Sequence, residues 1–178
     1  MKDSRKEVEL FKYMLEDVRK VTLKGIDWLN EYQLFHSLID DEAPIGAYLM
    51  HLAEVDIYWY EVLTGEIVNS ELKKRCYYNA WYDCDPKSYS PPISPLLHED
   101  YFNVMKDTRK LFIDFLEVSN DSDLEGEVEI KRAKGKKIIS KKWIVYHILE
   151  HEAHHRGQIF FMIRKSGIQK EVFKGKKN

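Results

Sequence analysis

No apolar run in this chain approaches the roughly 20 residues that a membrane span requires. Its opening stretch, MKDSRKEVELFKYML, interleaves charges with apolar side chains and lacks the uninterrupted core of a signal peptide. Cysteine is scarce. Cys76 and Cys84 are the only two and lack the CxxC spacing of a metal knuckle, so a reduced pair in the cytoplasm is expected. A basic excess is missing too: 28 Lys and Arg face 30 Asp and Glu, for a formal net charge of -2. That balance argues against a dedicated nucleic-acid binder. Proline is confined: apart from Pro44, every proline falls between residues 86 and 95. What is present is ample apolar material, 44% hydrophobic and 13% aromatic over 178 residues, enough for one globular domain with a sizeable core.

Four long stretches carry helical periodicity. The first runs from about Arg5 to Thr22, with Val8, Phe11, Leu15 and Val18 at steps of three and four. The pattern breaks over LKGIDWLNEYQLFHSLIDDEA and resumes from Pro44, a favoured first-turn residue, to about Leu63 before Thr64-Gly65. Residues 65 to 95 read as a long connection, with a short helix around Ser70 to Tyr78. Connections of that length often cover a site, and the aromatic segment Tyr77 to Tyr89 is placed to line a pocket or form a lid. A third helix is predicted from about Leu96 to Val118. The polar, β-branched stretch DLEGEVEIKRAKGKKIIS, with its turn around Lys134-Gly135, reads as a hairpin or irregular excursion. Its charge run, Lys131 to Lys142, is a solvated hairpin in the simplest account and a contact for an anionic partner in the other. Ser140 is the expected N-cap of a fourth helix that ends near Lys165 before Ser166-Gly167. Four helices with one long crossover predict an all-α four-helix bundle.

The fourth helix holds four of the seven histidines. At about 100° per residue, with His151 at zero, His155 falls near +40° and Ile144, Ile148, Ile159 and Met162 between about +20° and +80°. His151 and His155 therefore lie inside the apolar stripe, whereas His147 and His154 fall at its edge. On the second helix His51 shares a face with Tyr48, Val55, Tyr58, Trp59 and Val62. Taken alone, His51 is accounted for as a satisfied core histidine. The pair changes that balance. Imidazoles at i and i+4 have Cβ atoms roughly 5–6 Å apart, a separation that suits two zinc–nitrogen bonds of roughly 2.0–2.1 Å. A third ligand must come from another element, and His51 is the inward histidine available. His36 and His98 give no signal.

Two metal motifs match in part. HEAHH fits H-E-x-x-H with Glu152 as a base, but such sites take a further ligand downstream, where only Glu171 remains, in a lysine-rich tail. Glu152-x-x-His155 also supplies one E-x-x-H of a di-iron bundle, a design that needs two copies and two further glutamates. Both are set aside.

HLAEVDIYW on the second helix, GKKIISKKW before the fourth and HEAHHRGQI within it resemble the DinB (DinB/YfiT-like) family, over nearly the whole chain. The H-x-x-x-H-R-G-Q element is the specific part. The resemblance implies a bundle of up-down-down-up character, commonly a homodimer. It also implies a divalent metal, usually zinc or nickel, on three histidines that match His51, His151 and His155. Members with known activities are metal-dependent thiol S-transferases or isomerases using low-molecular-weight thiols, and others are called metal-dependent hydrolases. Gln158 matches that element and lies near the ligand face. Glu54, one turn from His51, and Tyr58 are candidate catalytic helpers, each with a competing role as a solvated carboxylate or a packing ring. The expectation is a metal-dependent transferase or hydrolase of a small molecule. Its alternative is a non-catalytic, stress-related metal-binding bundle.

Overall fold

The structure, a computed structural model, describes residues 4–132 and 135–170. Four long helices build it: α1 (Lys6–Ile26), α3 (Ile45–Thr64), α5 (His98–Val118) and α6 (Lys141–Ser166). Two short ones, α2 (Glu31–Phe35) and α4 (Ser70–Arg75), lie in the connections. Among the described residues, no helix is long and apolar enough to cross a membrane.

The helix ends follow local chemistry. Gly65 adopts the left-handed conformation after α3, with φ 75°, and its N–H donates to the Glu61 carbonyl at 2.9 Å. Ser140 Oγ accepts the Trp143 N–H at 3.1 Å and starts α6, and left-handed Gly167 ends it. The break predicted after the first helix instead contains α2. Asn30 Oδ1 accepts the Gln33 N–H at 2.9 Å while Gln33 Oε1 accepts the Asn30 N–H at 3.0 Å. This reciprocal cap stabilises a helix too short for periodicity to reveal.

Side-chain pairings give the helix directions. Lys142 of α6 reaches Glu7 at one end of α1, and Phe160 lies against Gly25 at the other, so α1 and α6 run parallel. Arg5, the residue before α1, donates to the Leu116 carbonyl and Arg19 to that of Met105, which sets α5 antiparallel to α1. Tyr101 crowds Gly46, Arg109 meets Asp56 and Phe112 meets Tyr60, so α3 and α5 run parallel. Trp59 against Trp143, with His51 against His155, sets α3 antiparallel to α6. The order is up-down-down-up. Parallel neighbours force the chain from α3 to α5 to travel back along a helix of about 30 Å, which is why the crossover at residues 65–97 is long.

After α5, a 3-10 turn (Asp121–Leu124) leads into the hairpin of β1 (Glu127–Arg132) and β2 (Gly135–Ser140). Its strands are antiparallel, with Val128 opposite Ile139. Ile130 and Ile139 are buried against one end of the bundle while Lys131, Lys136 and Lys137 are exposed, as a solvated hairpin requires. Lys134, part of the expected turn, lies outside the described residues, as does Glu171.

The apolar core comes in two parts. One, at the hairpin end, contains Val8, Leu15, Trp59, Leu63, Phe112, Leu116, Ile144 and Ile148. The other, at the far end, contains Ile26, Leu34, Leu49, Leu52, Tyr101, Met105, Ile159 and Met162. On each long helix a polar residue falls between the two parts: Arg19, Asp56, Arg109 and Glu152, all buried. That charged layer separates the two apolar parts.

Candidate metal centre

α3 and α6 bring the three expected histidines together. Ring nitrogens of His51, His151 and His155 all lie within 4.8 Å of one another, in the one such group of metal-ligating side chains among the described residues. The His51 and His151 Nε2 atoms are 3.1 Å apart. Ring centroids stand 4.5 Å apart for His151 and His155, and 5.0 Å apart for His51 and His155. The reason is the spacing read in the sequence: one turn of α6 sets two imidazoles side by side, and the antiparallel α3 presents the third.

The donors fit a cation. Two nitrogens on one tetrahedral ion at bonds of roughly 2.0–2.1 Å would stand about 3.3 Å apart, close to the spacing observed for the first pair. The ligand form of histidine is neutral, and the surroundings of His151 and His155 favour it. Burial, with repulsion from His155 and His51, pushes the His151 imidazole down to about 3. Burial and His51 push His155 down to about 4, against a smaller opposing effect of Gln158. His51 Nδ1 is buried without a hydrogen-bond partner, 3.9 Å from Glu54 Oε2. A small shift would let that carboxylate accept the Nδ1–H and turn Nε2 toward an ion.

Gln158 holds the position expected of it. Its Oε1 accepts a hydrogen bond from His155 Nδ1 at 2.6 Å, which leaves Nε2 as the free lone pair of that ring. Replacing Gln158 by leucine should weaken metal binding by roughly 10–100-fold, the usual cost of losing a group that orients a ligand. A competition titration checks it, and an unchanged affinity would show that packing alone orients His155.

Glu54 is buried at the site, where Oε1 accepts the Asn79 N–H of the crossover at 2.9 Å. Tyr58 is placed elsewhere. It is 38% exposed, with its ring edge-on to Trp59. Tyr82, on the crossover, lies over the triad instead, 4.5 Å from the His51 ring and 4.7 Å from Tyr48. His147 stacks on Trp143 at 4.6 Å, and His154 is exposed beside His155.

Glu152 faces the other way. It is wholly buried and bonded to Arg19 at 3.0 Å and Arg109 at 2.7 Å. Burial alone would raise its carboxyl, but the two guanidinium groups outweigh burial and hold it below the usual range. A carboxylate so engaged is not a general base, which disposes of the protease motif on geometry.

All of residues 1–178 match the DinB family. The chain belongs to the DinB family. No curated protein matches it. Among solved structures, this DinB-family chain resembles a conserved protein of Enterococcus faecalis at TM-score 0.67 and 7% identity, over 88% of this chain and 94% of that one. It also resembles YfiT from Bacillus subtilis, described as a probable metal-dependent hydrolase with an unusual four-helix bundle topology. That match has TM-score 0.58 and 14% identity, over 95% of this chain and 93% of YfiT. At such identities the likeness concerns the fold.

Proposed function

We propose that this DinB-family protein is a metal-dependent enzyme acting on a small molecule, a hydrolase or thiol S-transferase, with a zinc or nickel ion on His51, His151 and His155. The observation that carries this reading is the convergence of three imidazoles with no carboxylate among the converging groups. Three neutral ligands leave the charge of a divalent ion uncompensated and a coordination position open, as in catalytic rather than structural sites. Such an ion supplies Lewis acidity and lowers the pKa of a coordinated water or thiol. Around it, Gln158 orients His155, Glu54 stands ready to orient His51, and Tyr82 and Tyr48 exclude bulk water from the ligand side. The description of YfiT supports the same class of chemistry. Homodimerisation belongs to the proposal, supported by exposed Leu10 and Val21 on α1 and Tyr146 and Phe161 on the neighbouring α6; a cytoplasmic location is proposed with it. Light scattering tests the dimer.

Elemental analysis of the purified protein tests the centre, with about one ion per chain expected for the parent and none for His155→Ala. The loaded protein is then assayed with a panel of thiols and hydrolysable electrophiles. Turnover that vanishes in His51→Ala supports the enzyme. Bound metal with no turnover across the panel favours the non-catalytic binding bundle, and absence of metal from the parent defeats both.

A further inference from the structure

The crossover touches the triad at one place. Between the buried side chains of Cys76 and Trp81, the backbone passes through two left-handed residues that are not glycine. These are Tyr77, with φ 54°, and Asn79, with φ 55°. Asparagine tolerates that conformation, but a tyrosine holds it only where the surroundings fix it. The fixing contacts are visible. Glu54 Oε1 accepts the Asn79 N–H at 2.9 Å, and the Trp81 ring packs 6.3 Å from Phe35 and 6.4 Å from Tyr101.

The next residue is thereby laid over the histidines. The Tyr82 ring centroid stands 4.5 Å from His51 and 5.8 Å from His155. Tyr48, 5.5 Å from His155, closes the cover from α3 and is tethered by its hydroxyl to Glu42 at 2.9 Å. Under it His51 and His155 are only 8% and 7% exposed. Tyr58, farther along α3, has no such ring over it and is 38% exposed.

We propose that Tyr82 is the gate of the metal site: its ring shuts His51 and His155 from solvent, the Glu54–Asn79 bond holds it shut, and a substrate reaches the ligands by displacing or docking against it. The docking step rests on the proposed metal function; the cover does not. Glu54 then has a positioning role, with one oxygen on the strap and the other turned toward His51 Nδ1.

The full-length, metal-free protein is treated with diethylpyrocarbonate, and histidine modification rates are read by peptide mass spectrometry, with exposed His36 and His154 as internal references. In Tyr82→Ala and in Glu54→Ala, His51 and His155 should react at least about tenfold faster relative to those references, because local opening controls access of a solvent reagent. Tyr82→Phe keeps the ring and Asn79→Gly keeps the left-handed turn and its N–H, so both should react as the parent does. Circular dichroism confirms that each variant is folded, and Glu54→Ala carries the test if Tyr82→Ala is not. For the zinc-loaded protein, Tyr82→Ala should speed metal uptake and chelator-driven release by the same factor, leaving Kd unchanged, which a merely structural role would not produce. Rates within about twofold of the parent, or a faster release with weakened Kd, overturn the gate. If the parent binds no metal, the proposed function fails, and the modification rates still decide the gate.

Discussion

Replacing Arg109 by leucine is expected to destabilise the fold by roughly 3–5 kcal/mol, the cost of stranding a buried charge. Arg109 is 4% exposed. Its Nη2 donates to Asp56 Oδ1 at 3.0 Å and to Glu152 Oε2 at 2.7 Å, and its Nη1 donates to the Leu15 carbonyl at 3.1 Å. Arg19 bonds both carboxylates as well, to Asp56 at 2.9 Å and Glu152 at 3.0 Å. Two cations and two anions therefore cancel in a buried layer. Deleting one guanidinium leaves a net negative charge there and removes a second donor from the Leu15 carbonyl. The urea midpoint should fall with the m-value unchanged. Adding Glu152→Leu to Arg109→Leu should restore part of the loss, because the two share a network and their effects are not additive. A loss below about 1 kcal/mol in the single variant would mean that the layer is hydrated and its charges screened.

That layer marks the limit of what the chain discloses to a reader of its sequence. The four long helices follow their periodicity to within a few residues, because each buries one stripe against its neighbours. His51, His151 and His155 were legible for the same reason: a polar residue inside an apolar stripe stands out. Arg19, Asp56 and Arg109 did not stand out, and Glu152 stood out only through motifs that do not apply, since a charge on an amphipathic helix reads as solvated unless its partners on three other helices are known. α2 was signalled by Asn30 and Gln33, whose spacing is that of a reciprocal cap, but five residues hold no period. Tyr58 was suggested by the wheel because a wheel records angle and ignores what covers the helix. The ring that the structure lays over His51 is Tyr82, on irregular crossover backbone that no periodicity describes.

Acidification should leave the metal in place until the fold itself gives way. His151 and His155 are pushed down to about 3 and about 4 in the folded protein, from an ordinary value of 6.5. An unperturbed histidine at pH 5 is protonated roughly thirtyfold over neutral, so two such ligands would lose about a thousandfold in metal affinity. The folded pair refuses those protons and keeps its lone pairs for the ion. The same depression acts against the fold. With the pKa lowered on folding, stability from these rings is fully present above about pH 6.5 and is lost as pH falls toward 4 and then 3, because the unfolded chain takes up protons that the native rings reject. Metal release followed by a chromogenic chelator should therefore coincide with loss of helical circular dichroism, well below pH 6. Release with a midpoint near 6.5 from a protein that is still fully helical would mean that the three imidazoles are solvated and ordinary, and that the dry, neutral donor set does not exist.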